Sequence, residues 1–381
     1  MAHVYFDHNA TTPPDERVVA AMLPFFREHY GNASSRHEFG TSARKAVEHA
    51  REQVAALIGV EPSQVVFTSG GTEANNLFIK GTAGYLRPGQ IAVSAIEHPC
   101  VAKPAQELTR TGWKLRKLGV DCDGRLDLDD VDAAFKERAG IVSVMLANNE
   151  TGIVQDIAAV AEKAHAAGAV MHTDAVQALG KIAVDFKALN VDALTLSAHK
   201  IYGPKGVGAL VHDKRTSLRP LLAGGGHERG LRSGTENVPA IVGFGAACEL
   251  AVSRVRDFTS RIAEMRDMLE RGLDDRGAVL FSKNARRVPN TSYFAFPGVD
   301  GETLVIELDK AGYAVASGAA CSSTSTEPSA TLLAMGVAPE IARGAVRVSL
   351  GHGNTLEQID AFLRTLDFVL LKLKRLTAIA V

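Results

Sequence analysis

The stretch "DALTLSAHKIYGPKGVGALV", residues 192–211, places a lysine where an apolar run stops. The run Ala193–Leu196 ends at Ser197, and Lys200 follows after one alanine and one histidine. A loop with two glycines and a proline then leads into a second apolar run, Val207–Val211. Runs that are apolar throughout indicate strands of a sheet covered on both faces. A polar hairpin loop is the ordinary interpretation of such a lysine, so the rest of the chain must decide whether Lys200 is functional.

On both sides of this stretch, helical periodicity alternates with short strand-like runs. The helix-like segments are Asp15–His29, Glu38–Ile58, Thr72–Leu86 and Asp156–Ala167. The other strand-like runs are Val65–Thr68, Ile91–Ala95, Ile141–Leu146 and Val170–Thr173. This alternation predicts an α/β fold with a largely parallel sheet between helices.

A long helical stretch, Ile241–Leu273, breaks this rhythm, and the pattern then changes. The short strand-like runs "TSYFAF", "YAVAS" and "AVRVSL" follow, separated by helical segments. We therefore expect a second, smaller α+β domain. The predicted division is a large domain over residues 15–255 and a small domain formed by residues 1–14 and 256–381.

Composition excludes several classes of protein. The 381 residues carry a formal net charge of −1, which gives no electrostatic reason to expect a nucleic acid or membrane partner. The apolar C-terminal run contains Lys372, Lys374 and Arg375, so it does not read as a membrane span. The four cysteines are far apart and suggest no metal site, and the N-terminus does not read as a signal peptide. We expect a cytoplasmic protein in a reducing compartment.

Polar residues recur where the predicted strands end, which is where open α/β sheets bind ligands. "TSGGTEANN" (68–76) offers glycines and a helix N-terminus for a phosphate. His98, Asn149 and Asp174 follow three other strands, and Gln177 lies three residues beyond Asp174. Each signal alone has an ordinary alternative, such as a turn or a helix cap. Together with Lys200 they match pyridoxal 5′-phosphate, whose aldehyde condenses with a lysine and whose ring nitrogen takes an Asp partner.

The small domain adds a thiol and a guanidinium. Cys321 lies in "SGAACSSTSTEPS" (317–329), where small polar residues favour an accessible, reactive thiol over a packed one. Arg347 alternates with valines in "AVRVSL", so a half-buried strand would turn it away from them. Arg347 is either an exposed arginine or a guanidinium that binds a substrate carboxylate through two N–H groups.

With these residues in view, the sequence resembles the class I cysteine desulfurases of the NifS/IscS type over nearly its whole length. The motifs that carry the resemblance include "YFDHNATTP", "TSGGTEANN", "EHPCV", "NNETG", "HTDAVQ", "SAHKIYGPKGVG", "SGAACSS" and "VRVSLG". The resemblance implies the fold-type I architecture of pyridoxal-phosphate enzymes, with a mostly parallel, seven-stranded sheet. It also implies a homodimer with active sites at the subunit interface.

The resemblance further implies a role for each candidate residue. Lys200 would bind the cofactor covalently, Asp174 would pair with the ring nitrogen, and His98 would stack on the ring and transfer protons. The remaining cofactor contacts would come from Gly71, Thr72, Asn149, Gln177, Ser197, His199 and, across the dimer, Thr235. Arg347 and Asn149 would bind the carboxylate of L-cysteine. Cys321 would accept the sulfur as a persulfide, and a transient role for it as an iron–sulfur ligand is left open.

Several alternatives stay open at this stage. Another reaction on the same fold, such as transamination or selenocysteine cleavage, is one, and a non-catalytic scaffold subunit is another. The sulfur acceptor is also open, because an iron–sulfur scaffold protein, tRNA thiolation and thiamine synthesis all use such sulfur. His8 receives no role.

Overall fold

The computed structural model describes residues 3–136, 139–318 and 327–379, with side chains as far as residue 375. The strands are β1 (Val4–Tyr5), β2 (Val65–Thr68), β3 (Gln90–Ser94), β4 (Lys114–Leu118), β5 (Ala139–Ser143), β6 (Val170–Asp174), β7 (Ala193–Ser197), β8 (Gly208–His212), β9 (Val279–Leu280), β10 (Thr291–Ala295), β11 (Tyr313–Ala314), β12 (Ala316–Ser317) and β13 (Ala345–Ser349). The helices are α1 (Glu16–Met22), α2 (Pro24–Arg27), α3 (Glu38–Ile58), α4 (Gly71–Ala83), α5 (Pro99–Leu108), α6 (Leu128–Phe135), α7 (Ile157–Ala166), α8 (Phe186–Leu189), α9 (Val238–Asp257), α10 (Ala263–Asp274), α11 (Gly301–Lys310), α12 (Ala330–Ala334), α13 (Pro339–Arg343) and α14 (Leu356–Ile379).

A seven-stranded sheet in the order β2-β8-β7-β6-β5-β3-β4 organises the first two thirds of the chain. Its strands are parallel except β8, which runs antiparallel to both β2 and β7. All positions of β2, β3 and β7 are buried, because helices cover both faces of the sheet. The predicted α/β fold with a mostly parallel sheet is therefore confirmed.

The sequence prediction found six of these strands and missed β4. β4 reads "KLRKL" and leaves three of its five residues exposed, since it is the edge strand beside β3. Neither apolar continuity nor clean alternation marks such a strand in the sequence.

The small sheet has the order β12-β13-β10-β9 and is antiparallel. β13 is buried at all five positions, so the expectation of a half-buried strand around Arg347 is wrong. The N-terminal segment crosses to this part of the molecule, where β1 pairs with β11 and Asp7 bridges to Ser349. Residues 7–12 thereby pass between the two sheets.

Separate hydrophobic clusters surround the two sheets. The cluster of the large sheet takes α9 residues as far as Ala251, whereas Phe258 belongs to the cluster around α10, α11 and α14. Phe6 also packs in the second cluster. This distribution supports the domain division at residues 255 and 256, which stays a prediction.

The continuous helical stretch Val238–Asp274 joins the two clusters through a π-helical turn at Phe258–Ile262. By length and composition alone it could cross a membrane, but 56% of its most apolar window is buried inside the protein. Core helices of globular proteins have the same property.

Candidate active site

A cavity of about 520 Å³ opens at the carboxyl ends of β5, β6 and β7, where Arg347 of the small sheet also contributes. The predicted site residues that line it are Gly71, Thr72, His98, Asn149, Asp174, Gln177, Ser197, His199, Lys200 and Arg347. Thr235 lies exposed in the loop before α9, so its contribution across a dimer stays a prediction. Cys321 lies outside the described residues.

The turn between β2 and α4 forms one end of the cavity. Gly70 has φ +154°, a conformation that favours glycine, and a Cβ at Gly71 would lie 3.0 Å from Val176 Cγ2. An adjoining space of about 390 Å³ is bordered by this turn, His199 and Lys205. Ser197 Oγ is buried there without a hydrogen-bond partner among the described residues. A helix N-terminus, a lysine and an unused hydroxyl together suit a bound phosphate.

A buried carboxylate stands at the end of β6. Asp174 is 6% exposed, and its Oδ2 accepts a 2.7 Å hydrogen bond from Asn75 Nδ2. Its Oδ1 accepts a second bond from the Val176 amide at 2.9 Å. Hydrogen bonds of this kind stabilise the ionised form of a carboxyl, which can then pair with a cationic ring nitrogen. The sequence analysis missed Asn75, which is fully buried on α4.

His98 caps the N-terminus of α5, and this geometry fixes its tautomer. Its Nδ1 accepts from the Cys100 amide at 3.2 Å, so the proton of the neutral ring is on Nε2. Burial lowers the pKa of His98; the neighbouring Asp174 raises it, and Lys200 lowers it further. The neutral ring therefore has one N–H group left with which to move a proton.

Cys100 lies on the cavity wall, and its environment makes it a weak nucleophile. Burial and the nearby Asp174 raise the pKa of its thiol to about 12. The thiol therefore stays protonated and can donate to His98 Nδ1, which lies 2.8 Å from its sulfur. Because thiolates are the nucleophiles, Cys100 is a poor candidate for sulfur chemistry.

Lys200 follows β7 in the 3₁₀ turn Ala198–Lys200 and is half-buried. Its Nζ donates to the backbone oxygens of Asn9 and Ala10, the latter at 2.7 Å. The lysine amine therefore lies between the large sheet and the N-terminal segment. Asn9, which the sequence analysis did not select, belongs to the quoted motif "YFDHNATTP".

Arg347 is only 6% exposed and faces the cavity rather than solvent. Its Nη1 donates to Asn149 O at 2.9 Å and its Nη2 to Asp7 Oδ1 at 2.6 Å. Its Nε is buried and has no hydrogen-bond partner among the described residues. A buried guanidinium with an unused donor suits a carboxylate ligand. The Asn149 contact to Arg347 comes from its backbone oxygen.

Glu150, another residue that the sequence analysis passed over, holds the rim of the cavity. Its carboxylate accepts hydrogen bonds from Tyr293 at 3.2 Å, from Thr331 at 2.9 Å and from Ser329. On the other side, a Cβ at Gly318 would lie 2.3 Å from Tyr293 Oη, so the chain approaches this ring closely. Gly318, before positions 319–326, thus lines the cavity, and Ser329, after them, is bonded to a residue that lines it.

Comparisons with known proteins show the family of this chain. The family model described as "Aminotransferase class-V" matches residues 4–362. A protein of Gluconacetobacter diazotrophicus named "Cysteine desulfurase" is 44% identical over 99% of this chain and 96% of its own length. "Cysteine desulfurase IscS" of Dictyoglomus turgidum is 42% identical over 98% of this chain and 96% of its own.

A solved structure named "NifS-like protein" has a TM-score of 0.92 and 39% identity, covering 97% of this chain and all of that one. These matches cover nearly the whole chain, and both sheets lie within the matched residues. The chain therefore belongs to the aminotransferase class-V family, alongside relatives that are named cysteine desulfurases.

Proposed function

We propose that this protein is a pyridoxal 5′-phosphate-dependent cysteine desulfurase that converts L-cysteine to L-alanine and keeps the sulfur as a persulfide on Cys321. The observation that carries the proposal is the cavity that brings Lys200, Asp174 and His98 together with Arg347, beside an adjoining space whose lining suits a phosphate. Relatives named cysteine desulfurase that match nearly the whole chain support the same reaction.

The residues of the cavity fit the cofactor. The β2–α4 turn with Ser197 and His199 would hold its phosphate, Asp174 its ring nitrogen, and His98 the face of its ring. His199 would do so as a neutral ring, because burial and the neighbouring Lys200 and Lys205 lower its pKa to about 4. When bound, the cofactor supplies an electron sink for the bonds broken at the substrate carbon.

Side chains of the cavity would bind the substrate and transfer its protons. Arg347 would orient the substrate carboxylate, and the amine of Lys200 would take the proton from the substrate α-carbon. His98 holds a proton on Nε2, which suits it to relay one within the cavity. Asp174, held in place by the hydrogen bonds from Asn75 and Val176, would pair with the ring nitrogen of the cofactor.

Sulfur transfer requires a thiolate, and Cys321 is the candidate. Its sulfur would attack the sulfur of the substrate, so that an S–S bond would form and the substrate C–S bond would break with its electron pair left on the β-carbon. A proton taken up by the β-carbon, and the return of the proton removed from the α-carbon, would complete alanine. Cys100 would not compete, since its pKa is raised to about 12. The homodimer and a sulfur acceptor, an iron–sulfur scaffold protein or another, belong to this proposal through the sequence resemblance. The cytoplasmic location belongs to it as the expectation drawn from composition.

Borohydride reduction of the cofactor-loaded protein, followed by peptide mass mapping, tests the cofactor assignment. Reduction fixes the covalent link between the cofactor and its lysine. The proposal predicts the added cofactor mass on the peptide that contains Lys200. Labelling of Lys205 or Lys181 instead, or of no lysine, would refute it.

A further inference from the structure

Lys181 ends the motif "HTDAVQALGK" and has no place in the mechanism above. Its side chain is 2% exposed, which is rare for a lysine unless partners hold it. Burial, with smaller effects from Lys200 and Arg347, lowers the pKa of its amine well below the usual value. Burial of a lysine amine costs free energy unless hydrogen bonds compensate for it.

The amine of Lys181 contacts two amide oxygens. Nζ donates to Gln177 Oε1 at 2.7 Å and to Asn9 Oδ1 at 2.7 Å. A lysine amine has at least two N–H groups in either protonation state, so both bonds persist when the amine is neutral. The contacts therefore do not depend on the charge of Lys181.

These bonds determine which end of the Gln177 amide can act in the cavity. With Oε1 engaged by Lys181, Nε2 is on the opposite end and donates to the backbone oxygen of Asn9 at 2.9 Å. An amide nitrogen has two N–H groups, so one is left for a ligand. Gln177 lines the cavity, and the fixed amide therefore has an N–H group available to a ligand there.

Asn9 extends the same network to Lys200. The Asn9 backbone oxygen accepts from both Gln177 and Lys200, and its side-chain Nδ2 donates to Thr291 Oγ1 at 2.9 Å. Asn9 Oδ1 also accepts from Asn290 Nδ2 at 3.1 Å, so Asn9 is anchored by groups other than Lys181. The distinct effect of Lys181 is therefore on Gln177.

We propose that Lys181 is a positioning residue that fixes Gln177 with its N–H group available to an oxygen anion of the bound cofactor. The inference rests on the proposed function, because it assigns the donor to a cofactor oxygen. The competing explanation is a purely structural one, in which Lys181 only fills polar space between the N-terminal segment and β6.

The test is a double-mutant cycle in the full-length, cofactor-loaded protein. Lys181→Met removes the N–H donors and keeps an unbranched side chain of similar length. Gln177→Ala removes the amide through which Lys181 is proposed to act. Lys187→Met, at an exposed lysine of α8, is the matched control. The readouts are the visible absorption band of the bound cofactor, the cofactor Kd from equilibrium dialysis, and kcat and KM for L-cysteine.

We expect Lys181→Met to shift the absorption band, to weaken cofactor binding about tenfold, the usual effect of one lost hydrogen bond, and to lower kcat more than KM. In the Gln177→Ala background the same change should add less than twofold to the cofactor Kd, because the group it acts through is absent. Lys187→Met should match the unmutated protein.

Three results would overturn the inference: an unchanged band and Kd in Lys181→Met, full additivity of the two changes, or an equal effect of Lys187→Met. If Lys181→Met does not fold, Lys181→Gln serves in its place, because it keeps N–H donors and should show a smaller shift than Gln177→Ala. An effect of Lys181→Gln as large as that of Gln177→Ala would also overturn it. An unmutated protein that binds no cofactor would instead refute the proposed function, so the two failures are distinguishable.

Discussion

Replacing Glu97 by Gln should make the stability of this protein less sensitive to pH. Glu97 is half-buried beside His98; its Oε1 accepts from Ser94 at 2.6 Å and from the Met145 amide at 2.7 Å, and its Oε2 is buried without a partner among the described residues. Burial raises its pKa from 4.5 to about 8. The folded protein therefore holds a proton on Glu97 that the unfolded chain releases.

The sign and size of the effect follow from this difference. Protonation of Glu97 stabilises the folded state fully below pH 4.5, and that contribution is lost as the pH rises towards 8. The loss is about 1.4 kcal/mol for each pH unit, so roughly 3 kcal/mol between pH 5.5 and 7.5. Glu97→Gln, which resembles the protonated side chain, has no such loss. Any constant cost of the substitution cancels when two pH values are compared.

Urea unfolding of the cofactor-free protein at pH 5.5 and 7.5 measures this quantity. The free energy of unfolding of Glu97→Gln, relative to the unmutated protein, should increase by about 3 kcal/mol between the two pH values. Glu162→Gln, at an exposed position of α7, should show no such trend. A relative stability of Glu97→Gln that is the same at both pH values would mean that Glu97 is ionised throughout, and the reasoning would be refuted.

Three further predictions concern the cavity. Arg347→Ala should raise the KM for L-cysteine tenfold or more, because about 1.5–3 kcal/mol of charge-assisted hydrogen bonding is lost, while the absorption of the bound cofactor stays the same; an unchanged KM would remove Arg347 from the substrate site. Lys200→Ala should abolish turnover yet fold, as judged by circular dichroism, since water can replace the amine at the backbone oxygens of Asn9 and Ala10; normal alanine production would contradict its assignment. Glu150→Ala should speed amide hydrogen exchange at residues 329–335 at least tenfold, because three hydroxyl groups lose their acceptor, whereas Glu162→Ala should not; equal exchange in the two variants would show that Glu150 does not fix this segment.

The sequence predicts the parts of this fold that repeat a strong local pattern. Buried strands such as β7 are continuous apolar runs, so their ends could be located, and the polar residues at those ends meet in one cavity. β4 lacks such a pattern because it lies at an edge. Arg347 shows the limit of local alternation, since helices and the N-terminal segment bury its strand on both faces.

The residues that support the cavity were harder to find, because their roles depend on contacts between distant segments. Asn9 is bonded to residues more than 160 positions away, and Asn75 meets Asp174 across 99 positions. Glu150 similarly joins its own turn to two distant segments, at Tyr293 and at Ser329 and Thr331. An asparagine or glutamate in a turn motif carries no local sign of such partners. Only the recurrence of polar residues in "NATTP", "TEANN" and "NNETG" hinted at them.

Mass spectrometry of the cofactor-loaded protein after treatment with L-cysteine alone shows directly whether Cys321 accepts the sulfur. The proposed mechanism predicts one added sulfur on the peptide that contains Cys321, with alanine released in equal amount. It predicts none on Cys100 or Cys248, because burial raises the pKa of both thiols, and none on the exposed Cys122, which lies outside the cavity. Alanine released without sulfur on Cys321, or sulfur found on Cys100 instead, would contradict the proposed mechanism.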